Sequence, residues 1–172
     1  MSNPTLNDLD WSDVVCAYDH LFAPDGKAST LAQMMLAADF IQLEQAGAIA
    51  LTLATQKMLF IGTETVRVTK VTDTATGNVT RAILTHITGD AAKDNVKSIV
   101  YRMVGQDAAD PFAVVTGWAQ RAVTPDRLAP LADTIQAALK HAERQNAALY
   151  KRLLLDIIGA LRQRVPDDTD DD

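Results

Sequence analysis

Between Thr30 and Leu53 the chain reads TLAQMMLAADFIQLEQAGAIALTL, and no other stretch narrows its fold so far. Leu31, Met34, Met35, Leu36, Phe40, Ile41 and Leu43 fall on several faces of a helix at about 100° per residue, with only Gln33 and Glu44 sharing a polar edge. A surface helix shows one apolar stripe; a helix apolar nearly all round is a buried one. Asp39, Gln42 and Glu44 interrupt it, and it is too short to cross a bilayer. Thr30 and Gln33 stand at capping-box spacing for its start. Gly47 stands where a left-handed C-terminal residue is wanted.

Asp39 projects from the side of this helix that carries Met35, Leu43 and Ala46. A buried carboxylate must be paired, hydrogen-bonded or protonated, because a lone buried charge is too costly. Asp39 is therefore the buried acid candidate. Its bland reading is a structural acid satisfied by an Arg or by a backbone group of a packed neighbour. Its sharper reading is a functional acid, since perturbed carboxylates collect at sites.

On the N-terminal side, Leu6 to Phe22 is expected to form a first helix, with Asn7 or Asp10 as N-cap. Pro24-Asp25-Gly26-Lys27 then makes a turn. After Gly47 the apolar period falls to two. Ile49, Leu51 and Leu53, and then the run around Met58, make a hairpin with its turn at Thr55-Gln56, continued in extended form by Val66, Val68 and Thr69. Residues 79–88 read either as strand, from their Thr content, or as helix, from Val79, Ile83 and Ile87 at steps of four; helix is the preferred reading. Asp90 is the expected cap of a helix ending at Gly105, and Asp110-Pro111 opens another. Pro130 marks a kink or a fresh start. From Leu131 to Arg164 the helical pattern persists for on the order of 50 Å, so this segment wraps the body, breaks near Asn146, or projects and pairs.

The net charge of −6 is misleading as a whole, because five acids lie in the tail (Asp167, Asp168, Asp170, Asp171, Asp172). The expected organisation is one globular domain, 1–166, and a disordered acidic tail, 167–172. A single cysteine, Cys16, excludes an internal disulfide. The first residues show neither a basic nor an apolar signal region, which points to the cytoplasm.

The usual chemical constellations are missing. His20, His86 and His141 lie far apart without metal-ligand spacing, and no Walker, GxGxxG or GxSxG pattern occurs. Cys16 and His20 are four apart, but nothing local supplies an orienting group or an oxyanion hole. No enzyme, cofactor or metal is expected. The helix-to-hairpin junction looks like a winged-helix unit, yet no Lys or Arg occurs between Lys27 and Lys57, so nucleic acid is not the expected partner. The basic patch is elsewhere: Lys140, Arg144, Lys151, Arg152, Arg162 and Arg164, against Glu143 and Asp156. Such a helix can contact anionic headgroups or an acidic partner. The preferred reading is plainer: cations paired favourably with the helix C-terminus, with ordinary solvated charges along the rest.

LFAPDGKAS, the buried helix running into FIQLEQAGAIAL, and VRVTKVTDTATGN followed by VTRAILTHI come in an order that resembles the Golgi phosphoprotein 3-like (GPP34) family over roughly residues 21–88. That resemblance implies a mostly helical domain with a β-hairpin that binds phosphoinositide headgroups at a membrane surface. The family's lipid site uses a Trp and an Arg early in the buried helix region, where this chain has Leu36 and neither residue. Its second arginine pair has only Arg121 and Arg127 in the neighbourhood.

The fold expected is α+β and predominantly α-helical, with a central buried helix, a small winged-helix-like β-hairpin and a long C-terminal helix. The function expected is a non-enzymatic binding or scaffolding protein, self-associating through the last helix and touching anionic membrane peripherally. The alternative is a regulatory winged-helix-like module acting by protein–protein contact.

Overall fold

The helix Ala28–Gln45 runs through the centre of the structure, and every residue from Met35 to Leu43 on it is buried. The computed structural model describes residues 9–58, 61–119 and 125–162. Among them the elements follow as α1 (Trp11–Ala17), α2 (Asp19–Phe22), α3 (Ala28–Gln45), β1 (Ile49–Met58), β2 (Ile61–Lys70), α4 (Asn78–Thr85), α5 (Val96–Val104), α6 (Pro111–Gly117), α7 (Pro125–Gln145) and α8 (Ala147–Arg162). The class is α+β and predominantly helical. α3 packs against α1, α2, α4, α6, α7, α8 and β1, which is why an apolar surface on all its sides is stable there.

The start of α3 differs from the expected capping box. The helix begins at Ala28; Thr30 Oγ1 donates to Asp25 Oδ2 at 2.7 Å, and Gln33 Nε2 donates to the carbonyl of Leu154 at 2.8 Å. The Pro24-Asp25-Gly26 turn delivers Asp25 to the helix start, where it also accepts the Lys27 N–H, so Gln33 is free to tie α3 to α8. Its end is as read. Gly47 has φ +74°, its N–H bonds the Glu44 carbonyl, and the Ala48 N–H reaches the Leu43 carbonyl.

β1 and β2 pair antiparallel from Ile49↔Lys70 to Met58↔Ile61. The turn is thus not at Thr55-Gln56: both residues lie in β1, opposite Glu64 and Thr63. Nothing there breaks a strand, whereas Thr favours one. Leu51, Val66 and Val68 are buried on the body, and Thr52, Leu53, Thr55 and Thr63 are exposed. The outer edge of β2 is covered, with the Val66 N–H on Asp156 Oδ2 at 2.9 Å and the Val68 N–H on the Asp94 carbonyl at 2.9 Å.

Residues 78–85 are helix, with Val79, Ile83 and Leu84 buried. α5 is capped by Asn95, whose side chain accepts the Ser98 N–H, and not by Asp90. Asp94 gathers the N–H groups of Thr88 and Gly89 and the Thr88 hydroxyl; the chain turns there, and Asp90 caps only a local turn at Ala92. The first helix divides at Tyr18 into α1 and α2, while residues 6–8 lie outside those described. α7 runs through Pro130 without a fresh start; with no N–H, Pro130 leaves the carbonyl four residues before it, in the first turn, without its helical bond. The long last segment breaks at Asn146, whose Oδ1 accepts the Leu149 N–H and starts α8.

Candidate functional site

Two features invite a functional reading, the basic side chains of the last two helices and the buried acids around Asp39. α8 turns Tyr150, Leu153, Ile157, Ala160 and Leu161 into the core. Its opposite side therefore carries Lys151, Leu155, Ile158 and Arg162, at steps of four, three and four. Lys151 and Arg162 are exposed, Ile158 is half-buried, and Leu155 keeps 43% of its surface in solvent. The single acid of α8, Asp156, is buried and takes no part in this face.

Arg152 borders the same face, but its Nε donates to Asp156 Oδ1 at 2.8 Å, across one helical turn. Asp156 in turn holds the edge of β2, so Arg152 is committed to a structural ion pair that ties the hairpin to α8. A cation not visible in the α8 sequence replaces it. The side chain of Lys97, on α5, lies over Gly159: a Cβ added there would be 3.6 Å from Lys97 Cε and 3.9 Å from its Nζ. Gly159 follows Leu155 by four residues, so the absence of a side chain leaves room for the Lys97 stem beside exposed Leu155.

Lys140 and Arg144 are exposed and four apart on α7, separated from the α8 set by the break at Asn146. The structure thus divides the basic residues between two helices. Arg164 and Arg121 lie outside the described residues, as does the acidic segment 167–172; Arg127 is exposed at the start of α7.

Asp39 is fully buried. Its Oδ1 accepts the backbone N–H of Ser12 at 2.8 Å, while its Oδ2 and the Ser12 hydroxyl are buried without partners. Burial, then the carboxylate of Asp10, push the Asp39 carboxyl well above the usual range; bonding from Ser12 opposes this and Asp13 adds to it. The surroundings are structural. Asp10 Oδ2 accepts the Val79 N–H at 2.8 Å, and its Oδ1 accepts the Thr80 hydroxyl at 2.6 Å, so the residue at the N-cap position of α1 spends its carboxylate on the start of α4. Gln42 accepts the Trp11 N–H and donates to the Leu9 carbonyl and to Thr76, fastening α3 to both segments. These acids are a clasp between α1, α3 and α4. No group of three or more His, Cys, Asp or Glu among the described residues is arranged to hold a metal ion.

Cys16 and His20 fall on different helices, because Tyr18 separates α1 from α2. Their four-residue spacing therefore does not put them on one helix face. α3 is buried from Met35 to Leu43, with Ala28 and Gln45 exposed at its two ends. Among the described residues no helix is long and apolar enough to cross a membrane. No family model, no curated protein and no solved structure matches the chain.

Proposed function

We propose that this chain is a non-enzymatic binding or scaffolding protein whose α8 docks along an anionic lipid surface. The observation that carries this reading is the outer face of α8, where exposed Leu155 and half-buried Ile158 stand between Lys151 and Arg162, with Lys97 beside them. An interfacial helix has this arrangement, with an apolar strip that enters the headgroup boundary and cations that meet the phosphates. Each Lys or Arg near an anionic surface contributes about 1 kcal/mol, so three give weak, reversible attachment that salt screens.

The inner face of α8 is spent within the chain, so self-association through this helix has to use the same outer face. Co-sedimentation with phosphatidylserine-containing and pure phosphatidylcholine vesicles tests the reading, with sedimentation velocity run in parallel. Expected is retention on the anionic vesicles alone, decreasing with salt and abolished by Leu155→Asp. Equal behaviour on both vesicles rejects the membrane reading. A concentration-dependent dimer lost in Leu155→Asp would assign the face to a second copy instead.

A further inference from the structure

We infer that a cleft where the end of α3 meets the α7–α8 junction binds a small aliphatic ammonium, with the carboxylate of Glu44 as its counter-ion. The cleft has a volume of about 400 Å³, the size of a small-molecule site. Its depth is apolar, formed by Ile41 and Leu153, both buried, and by half-buried Leu149. Its rim is polar, with exposed His141, Gln145 and Asn146.

Glu44 also lines the cleft and is half-buried. One of its oxygens, Oε2, accepts the Leu51 N–H at 3.1 Å and so holds the start of β1. The other, Oε1, receives no hydrogen bond from a described residue and is not fully buried, so it is reachable by solvent on a residue that lines the cleft. No Lys, Arg or His among the described residues forms an ion pair with it. Burial accordingly pushes its carboxyl up, opposed only by the Leu51 N–H.

A carboxylate partly withdrawn from water and given no cation is an unmet charge. The group that meets it at this site is positive at one end and, to cover Leu149 and Leu153, aliphatic at the other. Tyr150 supports this polarity. It also lines the cleft, and a tyrosine hydroxyl, neutral at about pH 7, is an acceptor for an ammonium.

The test is a titration of the full chain with n-hexylamine hydrochloride, followed by amide chemical shifts in ¹H–¹⁵N spectra, with 1-hexanol and sodium hexanoate as controls. Expected are saturable shifts at Glu44, Leu51 and Tyr150 with the amine, at least ten-fold weaker with either control. Glu44→Gln keeps an acceptor for the Leu51 N–H and should weaken binding about ten-fold. Gln145→Lys, at an exposed rim position, supplies a competing ammonium from the chain itself and should do the same without disturbing the core. An equal response to 1-hexanol, the absence of saturable shifts with the amine, or undiminished binding in both variants would overturn the assignment.

Discussion

Asp39 on α3 accepts the backbone N–H of Ser12 on α1 at 2.8 Å, and its other oxygen, fully buried, meets no partner. Burial and the nearby Asp10 carboxylate raise its carboxyl well above the usual range, so the folded chain binds a proton there more tightly than the unfolded chain does. The stabilisation from that proton is complete below the ordinary value of about 3.9 and is lost as pH rises through the raised folded value. Urea unfolding from about pH 4 to about pH 9 should show this decline. Asp39→Asn keeps an acceptor for Ser12 and cannot ionise, so it should remove the larger part of the decline, leaving the smaller part due to Glu44, and match or exceed the wild type at high pH. Asp39→Ala strands the Ser12 N–H and should cost about 1–3 kcal/mol throughout.

Asp10 and Gly77 form a coupled pair. A Cβ on Gly77 would stand 2.7 Å from the Asp10 carboxyl carbon and both its oxygens, and that carboxylate is pinned by Val79, Thr76 and Thr80. Gly77→Ala should therefore cost on the order of 2 kcal/mol, through displacement of a cap and not through backbone conformation. Asp10→Ala should cost on the order of 3 kcal/mol, since several bonds to one carboxylate go together. The double variant should lose clearly less than the two added, because one group carries both effects; additive losses in a denaturation cycle would refute the coupling.

How much of this was legible in the chain depends on the range over which each residue acts. The burial of α3 could be read from its own residues, because an apolar surface on every side needs neighbours on every side. The Schellman end at Gly47 is equally local. Asp39 could be recognised as a buried acid, but its partner Ser12 lies 27 residues away and no spacing rule reaches that far. Asp10 was legible as an N-cap, yet only the fold decides that its carboxylate serves α4. Gln42 reads as a polar interruption of the core helix and proves to be a tie to Trp11, Leu9 and Thr76. On the outer face of α8, Lys151 and Arg162 follow from helical spacing, whereas Lys97 arrives from α5 by tertiary packing and left no signal in the α8 segment.

Asp156 is the hinge pin of the hairpin. Removing its side chain frees the Val66 N–H at a sheet edge and leaves Arg152 without its partner. Asp156→Ala should destabilise the chain by about 1–3 kcal/mol, chiefly by stranding the Val66 N–H, since the half-buried Arg152 can turn to solvent. Asp156→Asn, which can still accept from Val66, should lose less. Hydrogen exchange localises the effect: the Val66 amide should lose protection in Asp156→Ala, while Val68, bonded to the Asp94 carbonyl, keeps most of its own.

Lys97 and Gly159 allow the lipid reading to be tested from a helix that the vesicle experiment would otherwise leave alone. Lys97→Glu changes the charge beside Leu155 by two units while leaving the sequence of α8 intact. At about 1 kcal/mol per charge it should weaken partition onto anionic vesicles by about 2 kcal/mol, roughly thirty-fold, and leave neutral vesicles unaffected. Gly159→Ala is the control for disturbance of the helix. Its Cβ would meet Lys97 Cε at 3.6 Å, an ordinary contact, and an Ala inside a helix is favoured over Gly by about 1 kcal/mol. That variant should raise the unfolding midpoint and keep its vesicle binding. If Lys97→Glu binds anionic vesicles as well as the wild type does, the cation over Gly159 contributes nothing to the surface, and the lipid contact has to rest on Lys151 and Arg162 alone.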